Sequence, residues 1–176
     1  NAKQFDGVKK LIDTATASSQ VIAMGATGAT LTLARLDELI DAVKGGKPGL
    51  LLMSRRSRRK INALVRAAGG MMDTDRDTFG NFIQLWDGIP VVVSDWILDT
   101  HVLTNSLETA TTGGSCSTIY AFQMGEGALC GLTSPGQLTV EPIGSVETKD
   151  ASRTRIKWYV SLALFSAIKA AALIGV

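Results

Sequence analysis

Apolar positions recur at helical spacing in two stretches of the chain and at strand spacing in several others, and this patterning organises the reading. In LTLARLDELIDAVKGG, residues Leu33, Leu36, Leu39, Ile40 and Val43 fall three and four apart, which predicts a helix over Leu33 to Lys44 with one apolar stripe. Thr32 is the expected N-cap, Asp37 and Glu38 lie in early turns, Lys44 lies at the end, and Gly45-Gly46 stops the helix. Leu50-Leu51-Leu52-Met53 is an apolar run too short for a helix and suited to a buried strand. Ser54 then caps a second helix, Arg55 to about Ala68, whose Ile61, Leu64, Val65 and Ala68 share one arc.

Outside this centre the pattern is shorter-ranged. Ala2 to Thr14 is an amphipathic piece in which Phe5, Val8, Leu11 and Ile12 form one helical face despite Gly7, and it is expected to dock on the body. Thr14 to Thr30, rich in Ala, Ser, Thr and Gly, reads as a flexible connector. Its GATGAT lacks the lysine of a phosphate-binding loop and the spacing of a dinucleotide fingerprint. After Gly69-Gly70, MMDTDRDTFGN reads as a polar loop carrying Asp73, Asp75 and Asp77, without the glycine and closing glutamate of a calcium loop. FIQLWDGIPVVVSD is a hairpin signal, with strands near Phe82 to Trp86 and Pro90 to Ser94 around Asp87-Gly88.

Leu98 to Ser115 reads as a polar surface excursion, Ser117 to Met124 as a strand, and Ala128 to Leu132 and Leu138 to Ile143 as two further short strands. The last stretch, Ile156 to Val176, is apolar enough to raise a membrane span. The alternation of Ile156, Trp158, Val160, Leu162 and Leu164 against Arg155, Lys157, Tyr159 and Ser161 points instead to a long strand from Arg153 to Leu164. A turn near Ser166 and a closing strand over Ala170 to Gly175 follow. Many short strands beside two good helices make the fold class α+β.

Composition changes this picture in a few places. The chain has 176 residues, 45% of them hydrophobic, enough for one substantial core, and a formal net charge of only +2. Positive charge therefore matters as a local cluster: Arg55, Arg56, Arg58, Arg59, Lys60 and Arg66 occupy the part of the second helix that its apolar arc leaves free. Basic groups in a first turn oppose the helix dipole, so they call for acidic groups of this chain, acidic groups of a neighbour, or phosphate. Cys116 and Cys130 read as buried thiols in a reducing compartment, and His101, the single histidine, has no partner motif. There is no Ser-His-Asp arrangement, CxxC or HExxH, so the reading is not an enzyme, with no cofactor, no metal and no small-molecule substrate.

Taken together, QFDGVKKLI, LARLDELIDAV, LLLMSRRSRRKINAL, FGNFIQLWDGIPVVV, STIYAFQMGEGALCGL and SRTRIKWYVSLALFSAIKAAALIGV resemble, in order and over nearly the whole chain, the major capsid protein of tailed bacteriophages, the Hong Kong phage fold. The most specific elements are WDGIPVVV at Trp86 to Val93 and the terminal arginine-containing strand followed by AAALIGV. The resemblance implies an N-terminal connector over 1–31, an axial-like domain with a sheet flanked by helices over 32–144, and a peripheral-domain strand plus closing strand over 145–176. It also implies a fragment, because an N-terminal arm, an extended loop and a spine helix would precede QFDGV.

The function it implies is a structural subunit of an icosahedral shell enclosing a DNA genome. The subunit would associate with copies of itself in hexamers and pentamers, touch packaged DNA by non-specific electrostatics, meet no membrane, and reside in the virion capsid after assembly in the host cytoplasm. The six basic residues are the candidate intersubunit or phosphate contacts, and Asp73, Asp75 and Asp77 of a neighbour are candidate partners for them. Two readings from other classes stand beside it: a nucleic-acid-binding module using the Arg55 to Arg66 face, and a membrane-anchored protein using Ile156 to Val176.

Overall fold

The computed structural model describes residues 5–15, 20–110, 112–145 and 151–176. Its centre is a seven-stranded mixed sheet in the order β1-β11-β8-β2-β5-β4-β3. The strands are β1 (Val21–Ala23), β2 (Leu50–Met53), β3 (Asp73–Arg76), β4 (Phe82–Trp86), β5 (Ile89–Val93), β8 (Thr118–Phe122) and β11 (Ala170–Ile174). β8 and β11 are buried at every residue, and they are the strands with unbroken apolar or small sequence, TIYAF and AAALI, because both of their faces are covered.

Period two divides the core between the two faces of the sheet. On one face, Leu51, Met53, Ile119, Ala121, Ala171 and Leu173 pack beneath α2 (Leu33–Ala42) and α3 (Arg55–Ala67), which contribute Leu36, Leu39, Ile61 and Val65. On the other, Tyr120, Phe122, Ala170, Ala172 and Ile174 pack against Ile12 of α1 (Val8–Ala15) and Leu103. Both long helices start as their sequences require. The Thr32 hydroxyl accepts from the Arg35 backbone N–H at 3.4 Å, and the Ser54 hydroxyl accepts from that of Ser57 at 3.2 Å. The Asp87-Gly88 hairpin turn has positive φ at both residues, 49° and 75°, as a two-residue loop matching strand twist demands.

A second structural unit leaves the body. β9 (Leu129–Ser145) and β10 (Ser152–Leu164) form a two-stranded antiparallel ribbon, with register shifts at Arg153/Thr154 and Trp158/Val160. A 3-10 turn, Ala167–Lys169, returns the chain into β11. Ile156 to Val176 is thus strand, turn and strand, and among the described residues no helix is long and apolar enough to cross a membrane.

Several sequence expectations are corrected. Part of the stretch read as connector is β1, paired parallel with β11; residues 16–19 of that stretch, like residues 1–4 of the N-terminal piece, lie outside the described residues. Phe5 precedes α1 and is exposed, so the docked face is Val8, Leu11 and Ile12. The Asp73 to Asp77 loop is largely strand β3, at the sheet edge, where backbone pairing with β4 does not require apolar side chains and charge blunts the edge. The polar excursion contains a hairpin, β6 (Val102–Thr104) and β7 (Leu107–Ala110), and buries both His101 and Leu103. The two short strands over 128–143 are one continuous β9. Ala68 is exposed and Leu64 only half-buried, so the apolar arc of α3 is narrower than its spacing indicates. Cys116 is buried but Cys130 only half-buried, and both are free.

Candidate intersubunit surfaces

The basic residues of α3 divide into an occupied pair and an open set. The Arg55 guanidinium donates twice to Asp95, Nε to Oδ1 at 2.6 Å and Nη2 to Oδ2 at 2.8 Å, and this carboxylate holds its pKa above the ordinary arginine value. Arg56 donates to the carbonyls of Ser115 at 2.6 Å and Val176 at 2.9 Å, with Asp99 Oδ1 3.6 Å from its Nε. The dipole conflict at the start of α3 is therefore answered within the chain, by acids that follow β5 and by the carbonyls of Ser115, before β8, and Val176, after β11. Neither acid has a local signal, since Arg55 and Asp95 are 40 positions apart.

The remaining basic residues are less engaged. Arg66 folds back on its own helix, Nε to the Asn62 carbonyl at 3.1 Å. Arg58 is half-buried, with its Nε lacking a partner among the described residues. Arg59 is exposed and Lys60 half-buried, and neither has a hydrogen bond or ion pair among the described residues. Lys60 and Arg56 line a cleft of about 400 Å³ with the Thr27–Leu31 loop, Cys116 and Gly175. Within its lining Gly28 and Gly175 pack closely: a Cβ on Gly28 would lie 2.6 Å from the Cys116 sulfur and 2.9 Å from the Gly175 carbonyl oxygen.

The ribbon presents a different surface. On one side, Ile156 faces Val140 and Trp158 faces Leu138 across the strands, and all four are exposed; Trp158 is 64% exposed. Towards the body the same side continues into Leu162 and Leu164, which pack on the core beside α1. The opposite side is polar, with Lys157 bridging to Glu141 at 2.5 Å. The expected alternation of β10 is present, but the outer apolar side meets solvent in the isolated chain.

One polar cluster escaped the sequence reading. His101 Nδ1 contacts the Glu108 carboxylate, which also meets Lys9 Nζ at 3.0 Å and accepts from the Thr118 hydroxyl at 3.3 Å. His101 and Glu108 are buried, so α1, the β6–β7 hairpin and β8 are tied by one ionic cluster. Burial lowers the His101 pKa below its ordinary 6.5, Lys9 adds to that, and Glu108 and Asp99 oppose it without prevailing. The tie joins residues distant in sequence, and no motif announces it. Among the described residues no group of three or more metal-ligating side chains forms.

No protein-family model and no curated protein matches the chain. Among solved structures it is similar to the holo-SrpI encapsulin complex from Synechococcus elongatus PCC 7942, with 20% identity and a TM-score of 0.74 over 97% of this chain and 58% of that one. It is also similar to a phage-related protein from Bordetella bronchiseptica RB50, with 11% identity and a TM-score of 0.61 over 98% of this chain and 67% of that one. The chain thus spans about three fifths of the encapsulin's length and two thirds of the phage-related protein's. At these identities the likeness is one of fold: a mixed α+β body with a large central sheet and few helices, shared with the encapsulin.

Proposed function

We propose that the chain is a shell-forming structural subunit, and specifically the major capsid protein of a tailed phage, assembling in the host cytoplasm into hexamers and pentamers that enclose a DNA genome. The observation that supports it best is the ribbon. Ile156, Trp158, Leu138 and Val140 form a continuous apolar side that this chain leaves open, on a fold shared with an encapsulin complex and a phage-related protein. In the assembled state that side is covered by polypeptide of the same shell. The chemistry of that reading is non-covalent association.

The test is to express the full-length protein, image the product by electron microscopy, and treat it with nuclease before extracting nucleic acid. Closed particles with protected DNA are the expected result. Closed particles without nucleic acid remove the genome-enclosing part and leave the shell reading, which the encapsulin likeness favours in its own right. A monodisperse monomer at all concentrations contradicts both. Binding of DNA by that monomer would support instead the nucleic-acid module, which is weakened by the internal engagement of Arg55 and Arg56.

A further inference from the structure

We propose that the cleft between the Thr27–Leu31 loop and α3 binds a small phosphate-bearing ligand, held by Lys60, Arg56 and backbone N–H groups of the loop. The site belongs to a single copy and stands whether or not copies assemble into a shell. Its place follows from the sheet. β1 runs parallel to β11, and both β11 and β2 run antiparallel to β8, so β1, β11 and β2 end at the same margin. The loop follows β1, Gly175 follows β11, Arg56 and Lys60 follow β2 on α3, and Cys116 precedes β8. Crevices at the carboxyl ends of co-directional strands are where open sheets with helices collect ligands.

The loop spends its acceptors inside the protein and keeps donors open. The Gly25 carbonyl accepts from the Ser106 hydroxyl at 3.2 Å, the Ala26 carbonyl from the Ser106 N–H at 3.0 Å, and the Thr27 carbonyl from the Cys116 thiol at 3.7 Å. The Ala29 N–H donates to the Gly175 carbonyl at 3.0 Å, whereas the N–H groups of Thr27, Gly28 and Thr30 have no acceptor among the described residues. Backbone N–H groups left open along a tight turn make a concavity for an anion. GATGAT lacks a lysine of its own, and the fold supplies Lys60 from α3.

The charge of the cleft has the matching sign. Among the described residues its lining contains Arg56 and Lys60 and no carboxylate. Arg56 is anchored by Asp99, 3.6 Å from its Nε, and by the Ser115 and Val176 carbonyls; Nη2 gives Val176 one of its two N–H groups and keeps the other. Lys60 is half-buried and its ammonium has no partner among the described residues, so it carries the uncompensated charge. Two cations, open loop amides and the hydroxyl-bearing Thr27, Thr30 and Ser115 exceed what the two oxygens of a carboxylate can accept, and they suit the three terminal oxygens of a phosphate monoester. The volume of about 400 Å³ lies within the range of ligand pockets, roughly 300–1,000 Å³, and leaves room for a small organic group beside the phosphate.

The test is isothermal titration calorimetry of full-length protein with inorganic phosphate, glucose 6-phosphate and glucose, in sodium chloride at about 0.15 M. Thermal melts confirm folding of each variant. Phosphate or glucose 6-phosphate should bind saturably, once per chain, and raise the melting temperature, while glucose should do neither. Tighter binding of the ester assigns a phosphorylated small molecule, and tighter binding of phosphate assigns the free ion; both uphold the site. Lys60→Gln should weaken binding about tenfold or more and Lys60→Arg should retain most of it, whereas Arg59→Gln, on the same helix outside the cleft, should leave it unchanged. With Cys130→Ser removing the other free thiol, bound phosphate should slow alkylation of Cys116 in the cleft lining. Equal losses from Arg59→Gln and Lys60→Gln, or unprotected Cys116 in saturated protein, put the anion elsewhere on the basic helix and overturn the site. Absence of binding by folded wild type, binding that vanishes at this salt, or binding of a DNA duplex in place of both phosphates overturns it as well.

Discussion

The central sheet and the ribbon are built from the same alternation of apolar residues and differ in what lies against it. In β8 and β11 every residue is buried, because α2 and α3 cover one face of the sheet while α1 and the β6–β7 hairpin cover the other. In β10 the apolar side is half-buried only at Leu162 and Leu164, where α1 reaches it, and lies open from Val160 outwards. Period two reports which side of a strand is apolar, and the occupant of that side is a separate fact. An open apolar side next to a completed core marks a candidate interaction surface.

The comparison is broken or sharpened by substitutions on each side of it. Leu51, fully buried under both long helices, should lose about 2–5 kcal/mol of stability on replacement by Ala, read from urea denaturation of the isolated chain. A loss under 1 kcal/mol would mean that the sheet is not the core. Ser54→Ala removes the cap of α3, which carries the basic stripe, and should cost about 0.5–2 kcal/mol in the same assay.

The His101 cluster predicts a pH dependence of known sign. Its imidazole is held neutral by burial, with the pKa below 6.5, so the unfolded chain binds the proton more readily than the folded one. The stabilisation is complete above pH 6.5 and is lost as the pH falls below it through the lowered folded-state pKa. Denaturation midpoints measured down through this range should decline, and His101→Gln should flatten the decline; an unaltered slope contradicts the assignment.

The smallest effect is expected on the ribbon. Trp158→Ala, which would cost about 3–5 kcal/mol at a buried site, should change the isolated chain's stability by no more than about 0.5 kcal/mol, because its indole already faces solvent.

These same regions show how much the sequence discloses. Helices α2 and α3, the strand between them and the Asp87-Gly88 hairpin are legible because cap, stripe and turn residues are local signals. β1 and β3 are not, since a three-residue strand at one edge of the sheet and a charged strand at the other are specified by their partners, β11 and β4. The basic cluster was visible as composition, whereas its division was not: Arg55 and Arg56 are distinguished from Arg59 by acids and carbonyls 40 or more positions away.

The central claim, that the open side of the ribbon is an assembly surface, is tested most directly by electron microscopy of full-length protein carrying Ile156→Glu and Trp158→Glu beside the wild type. The account predicts closed particles from the wild type and unassembled subunits from the variant, with the central body still folded by circular dichroism. Particles of normal size and yield from the doubly charged variant would contradict it.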